Sequence, residues 1–241
     1  MDHRPEGFEE CRVCGAPAPP GYRRCFCCAV LVRRLGMPLA PLEAVAIFRT
    51  GDGLHRRLRG YKDAPVAEAR AACTRHLATL VRGWLAGRGD GGRLGPWDLV
   101  AAVPSSRRPG PSPVDRLVAA VPSLAPQLAA GLLVRGPGRT DHLVADRRGF
   151  AVDPAVGERA VGRRVLVVDD TVVTGARAQS AVAALRAAGL RPAGVLAVGR
   201  AVAPEAAAWQ AAAWMSRRGA GPGILAGPSP SGAPPTPRSH P

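Results

Sequence analysis

The chain has 241 residues, 46% of them hydrophobic, enough for one substantial core with a small appended module and tight for two full domains. Its formal charge is +15, yet the basic residues are 32 arginines and one lysine, Lys62. With so much Ala, Gly and Pro, that skew reads as compositional bias rather than one basic surface, so charge speaks to association with anions and not to fold. No run of eighteen apolar residues exists, which excludes a membrane-spanning helix. The stretch MDHRPEGFEE lacks the apolar core of a signal peptide, so a cytoplasmic location is expected.

Residues 1–35 hold CRVCGAPAPPGYRRCFCC, whose Gly and Pro content predicts loops around a fixed point. The pairs Cys11/Cys14 and Cys25/Cys28, ten residues apart, have the spacing of two knuckles that turn four thiolates onto one tetrahedral Zn²⁺. A reducing compartment favours metal over disulfides, and a closed four-sulfur shell makes the site structural. Cys27 is an alternative to Cys28. The rival reading, a redox dithiol, is weakened by the expectation that neither pair opens a helix in a βαβ context.

A strand is expected at 44–49, AVAIFR. From Pro65 to Leu85, Val66, Ala69, Cys73, Leu77, Leu80, Val81 and Trp84 recur at helical spacing, with Cys73 a small buried hydrophobe. DLVAAVP at 98–104 is apolar on both faces, as an interior parallel strand requires. Ser112-Pro113 offers an N-cap and first-turn proline for a helix carrying Val114, Leu117, Val118 and Val121. Residues 135–150, RGPGRTDHLVADRRGF, have no clean periodicity and read as a mobile arginine-rich excursion. VLVV at 165–168 is a third interior strand, AQSAVAALRAAGL the helix after it with Gly189 as its stop, and GVLAVGRAV a fourth strand. Strands alternating with helices predict an α/β fold with a doubly wound parallel sheet over 36–216. The segment 217–241, rich in Pro, Gly and Ser, is expected to be disordered.

The chemistry concentrates in VLVVDDTVVTGAR, residues 165–177. Ligands of open α/β sheets bind beyond the carboxyl ends of the strands, where Asp169 and Asp170 would end this one. A carboxylate accepts two hydrogen bonds, which suits ribose hydroxyls. The turn TVVTGA then leads into a helix whose N-terminus favours an anion, and Gly175 permits close approach. Three rivals fail. A receiver domain needs a later Asp and Lys, and none follows Asp170. A haloacid-dehalogenase-type phosphatase needs Asp-x-Asp, and a Walker loop needs Gly-Lys-Ser/Thr.

VLVVDDTVVTGA resembles the phosphoribosyl-pyrophosphate signature of type I phosphoribosyltransferases. The order of a four-cysteine module, LHRRLRGYKDAP, AVPSSRR, RTDHLVADRRGF and this signature resembles the ComF competence-protein family over about residues 11–200. The resemblance implies phosphoribosyl pyrophosphate as ligand, with Mg²⁺, and transfer of the phosphoribosyl group to or from a nucleophile. Asp169 and Asp170 would hold ribose hydroxyls, and Thr171, Val172, Val173, Thr174, Gly175, Ala176 and Arg177 would wrap the 5-phosphate. Pro104, Ser105, Ser106, Arg107 and Arg108 would face the pyrophosphate, and residues 135–150 would form a hood. Arg107, Arg108, Arg147 and Arg148 are candidates to neutralise the leaving group. The usual signature reads Thr-Thr-Gly-x-Thr, whereas Val173 and Arg177 replace two hydroxyl donors here, and His142 stands where the family often has Gln. Two other classes therefore remain: a non-catalytic ribose-phosphate-binding regulator, and an accessory protein handling single-stranded DNA.

Overall fold

The computed structural model describes residues 9–88, 92–105 and 112–202. Ser106, Arg107, Arg108 and the 217–241 segment lie outside them. Among the described residues no helix is long and apolar enough to cross a membrane.

Aliphatic runs too apolar to face water on either side form one parallel sheet. Its strands are β3 (Leu42–Arg49), β4 (Leu99–Ala102), β7 (Arg164–Val172) and β8 (Arg191–Val202), in the order β3-β8-β7-β4. Ala102 lies beside Val168, Asp169 beside Ala197 and Thr171 beside Gly199. The remaining strands are short antiparallel pairs: β1 (Glu9–Glu10) with β2 (Pro17–Ala18), and β5 (Leu133–Arg135) with β6 (Phe150–Val152).

Both sheet faces are covered, so the chain is a mixed α/β protein. On one face Val165, Val167, Ala101 and Leu42 pack with Ala178, Ala181, Val182 and Leu185 of α6 (Ala176–Ala187). On the other, Leu166, Val168 and Leu196 meet α2 (Gly53–Asp63), α3 (Ala67–Gly87) and α4 (Pro113–Ala119). α4 begins as its sequence dictates: Val114 N–H donates to Ser112 Oγ and Ser112 N–H to the Asp115 carboxylate, a reciprocal cap. A one-turn helix, α5 (Pro154–Gly157), precedes β7.

Two expectations need correcting. The cysteine segment is not all loop, because α1 (Phe26–Leu35) starts at Cys25 and ends at Gly36, whose φ of 54° suits only glycine well. The second cysteine pair therefore does open a helix. The excursion between β5 and β6 is also tied down. Asp146 accepts the N–H groups of Arg139 and Arg148, Asp141 accepts those of Leu143 and Val144, and Ser180 Oγ of α6 accepts Asp146 N–H.

Candidate functional site

The connection leaving β4 runs to α4 on one face of the sheet, and that leaving β7 runs to α6 on the other. Adjacent strands whose connections diverge open a crevice at their carboxyl ends, the usual ligand position in such sheets. β7 does not stop at the acidic pair. It carries Asp169 and Asp170 inside the strand, 4% and 6% exposed, and ends at Val172.

Successive side chains of a strand point to opposite faces, so the pleat separates the two carboxylates. Asp169 faces α6 and lines a recess with His142, Thr171, Val172, Val173, Gly175, Ala176, Arg177 and Ala178. The enclosed space is only about 10 Å³, room for about one water, so the recess takes a single small group of a ligand. Asp169 Oδ1 accepts the N–H of Asp170 at 3.0 Å, whereas its Oδ2 is buried with no hydrogen-bond partner among the described residues. Burial, and then the charge of Asp170, push the Asp169 carboxyl up to about 7. Asp170 faces α2, where Tyr61 O–H donates to its Oδ2 and Lys62 Nζ pairs with the same oxygen.

The turn after β7 is held in place from several sides. Gly175 has φ 89°, and a Cβ there would lie 3.1 Å from Leu42 Cδ1. Thr174 Oγ1 donates to His142 O at 2.5 Å and accepts Ala176 N–H at 3.2 Å, which docks the β5–β6 loop on the turn. Gln179, 1% exposed, clamps both backbone groups of Ala40 at 3.0 and 2.8 Å and so fixes α6 against the start of β3. Arg177 spans the crevice: it donates to Pro104 O at 2.5 Å and lies 5.6 Å from the Phe150 ring centroid. Burial lowers the His142 imidazole below its ordinary value, and the charges of Arg177 and Lys62 act in the same direction.

The structure thus brings together Asp169, Thr171, Val172, Val173, Gly175, Ala176 and Arg177 at the recess, with Thr174 bracing the turn. Pro104 meets them through Arg177, and half-buried Ser105 follows on the β4 side. Arg147 is used elsewhere, since its guanidinium donates to Leu35 O and Gly36 O at the end of α1. Arg148 is exposed and has no place in the recess lining. Tyr61 and Lys62 were missed by sequence reasoning, although a lone lysine among 32 arginines was a signal.

The second candidate centre is the cysteine module. Cys11, Cys14, Cys25 and Cys28 are all buried, with their sulfurs within 4.8 Å of one another and Cys14 Sγ 3.7 Å from Cys25 Sγ. Tetrahedral Zn–S bonds of about 2.3 Å place sulfurs about 3.8 Å apart, so the four thiols fit a structural metal such as zinc. Cys27 is half-buried and outside the cluster, so the fourth sulfur that could hold a metal is that of Cys28. The module is joined to the sheet by Leu42 N–H on Val13 O at 2.7 Å and by buried Arg200 donating to Cys14 O at 3.3 Å.

No protein-family model matches the chain, and no curated protein matches it.

Proposed function

We propose that the protein is a type I phosphoribosyltransferase-like protein of the ComF kind. It binds phosphoribosyl pyrophosphate or another 5-phosphorylated ribose beyond β7 and transfers the phosphoribosyl group to or from a nucleophile. One observation carries the reading: Asp169 Oδ2 is a buried acceptor without a donor among the described residues, on a side chain that lines a recess at a helix N-terminus. Leaving such a group unsatisfied costs about 1–3 kcal/mol, and more if it is charged, so a site that keeps one has a use for it.

A ribose hydroxyl is the donor that fits. With that hydroxyl on Asp169, the 5-phosphate falls to the start of α6, where backbone N–H groups and the positive end of the helix favour an anion. Arg177 adds a fixed positive charge at the same point. The oxocarbenium-like centre that develops as diphosphate leaves would gain from the nearby carboxylate and from exclusion of water by the loop bearing His142. The resemblance brings Mg²⁺ along with the diphosphate. The acidic pair, however, is already faced by Lys62 and Arg177.

A binding-only reading is favoured by Val173, 38% exposed at the recess and without a hydroxyl for phosphate. Pyrophosphate release from phosphoribosyl pyrophosphate separates turnover from binding. Calorimetry with this ligand and with ribose 5-phosphate tests the shared premise. Asp169→Asn should weaken binding by about 1.5–3 kcal/mol, the range for hydrogen bonds to charged groups. Absence of any affinity at millimolar ligand would sink the proposal.

A further inference from the structure

We infer that the acidic pair takes no divalent cation, because Lys62 supplies an ammonium that occupies the cation's place on Asp170. The ligand's identity rests on the reading above; the exclusion of metal from this pair does not.

Four observations converge. The pleat of β7 turns the two carboxylates to opposite sides, so no single ion bridges them from one face. Asp170 Oδ2 already receives both the Tyr61 hydroxyl and the Lys62 ammonium. Mg²⁺ demands near-octahedral oxygen ligands at about 2.0–2.1 Å and gives up its waters reluctantly, and the Lys62 ammonium on Asp170 leaves no room beside that oxygen for the ion and its waters. The charges of Arg177 and Lys62 both bear on Asp169, so positive charge already faces the pair from either side of the strand.

Composition points the same way. On α2 the other basic positions, Arg56, Arg57 and Arg59, are arginines, as are all remaining basic positions of the chain. A lysine differs from them in being a compact point charge on a flexible stem, whereas the guanidinium is a planar fork. A compact cation is the shape that stands in for a metal ion against one carboxylate oxygen. The ligand then meets Asp169 through its hydroxyl alone, and its ribose phosphate portion binds without help from a metal.

The test uses the full chain with its cysteine site zinc-loaded, titrated with Mn²⁺ and followed by the electron paramagnetic resonance of the free ion. Lys62→Met should take up one more Mn²⁺ per chain than wild type, and adding Asp170→Asn should remove it. Lys62→Arg keeps the charge but not the compact shape and should take up Mn²⁺ to an extent between wild type and Lys62→Met, and thermal melting should show every variant folded. In parallel, the affinity of wild type for ribose 5-phosphate should be the same with and without Mg²⁺, whereas Lys62→Met should acquire coupling of about fivefold or more, the lower end of ordinary linkage between sites. A wild-type Mn²⁺ site that Asp170→Asn abolishes would overturn the inference, as would Lys62→Met binding no more Mn²⁺ than wild type. If ribose 5-phosphate binds no variant under either condition, the ligand reading fails and the Mn²⁺ titration still decides the metal question.

Discussion

Replacing Asp169 by Asn should stabilise the fold at pH 8 while damaging the site. In the native state the Asp169 carboxyl is raised from its ordinary 3.8 to about 7, first by burial and then by the charge of Asp170. Between those two values the native protein keeps a proton that the unfolded chain has lost, so stability falls as pH rises through that window and is level above it. At 1.36 kcal/mol per pH unit, the full penalty is roughly 4 kcal/mol. Asparagine never ionises and has nearly the same shape. Its amide N–H₂, placed where Oδ2 found no donor, carries a pH-independent cost of about 1–3 kcal/mol for an unsatisfied buried donor. The variant should therefore be less stable than wild type at pH 4 and more stable at pH 8, with the difference between the two comparisons near the roughly 4 kcal/mol set by the titration. Urea unfolding of both proteins at both pH values, with zinc saturating, measures this, since other titrating groups cancel between them. A mutational effect equal at the two pH values within about 1 kcal/mol would refute the claim that this carboxyl is buried at a cost.

In the cysteine module, Cys28→Ser should lose the bound zinc on metal analysis while Cys27→Ser retains one ion per chain, because only Cys28 lies within the cluster of sulfurs. Equal zinc content in the two variants would contradict the ligand set. Gly175→Ala forces a side chain into the left-handed region and against Leu42, which should cost roughly 1–2 kcal/mol and lower Tm by about 2–8 °C in a scanning experiment. An unchanged Tm would show that the turn has room to shift.

What the sequence disclosed follows from which forces are local. β4, β7 and β8 announce themselves as aliphatic runs, and the start of α4 is written in Ser112, Pro113 and Asp115, within four residues of one another. α2 was harder. Leu54, Leu58 and Tyr61 do recur at helical spacing, but five basic or histidine neighbours dilute the stripe. The length of β7 was misjudged for a sound reason: carboxylates are seldom fully buried, so a strand is expected to stop before two of them. It continues because Tyr61 and Lys62, more than a hundred residues earlier, satisfy one, while the other is left with an oxygen unpaired. Partners that distant leave no trace in periodicity or spacing. Cys28 was identifiable as a ligand candidate from its interval to Cys25, but its choice over Cys27 needed the first turn of α1, which aims one sulfur inward and the other aside.

The strand order has a consequence for synthesis. β3 is made early, yet its ladder partner within the described sheet is β8, about 140 residues further on. At roughly 5–20 residues per second, the ribosome needs on the order of 7–30 s to deliver that partner. During that interval a strand whose residues 44–48 are destined for burial has no ladder to join, and its apolar side chains are available to other nascent chains. β4 and β7, by contrast, can pair before β8 exists. Insertion of β8 between β7 and β3 is then the event that closes the sheet and fastens the cysteine module through Arg200. A chain halted before Arg191 holds two sheet fragments that no strand ladder joins, held together only by contacts such as the Gln179 clamp on Ala40.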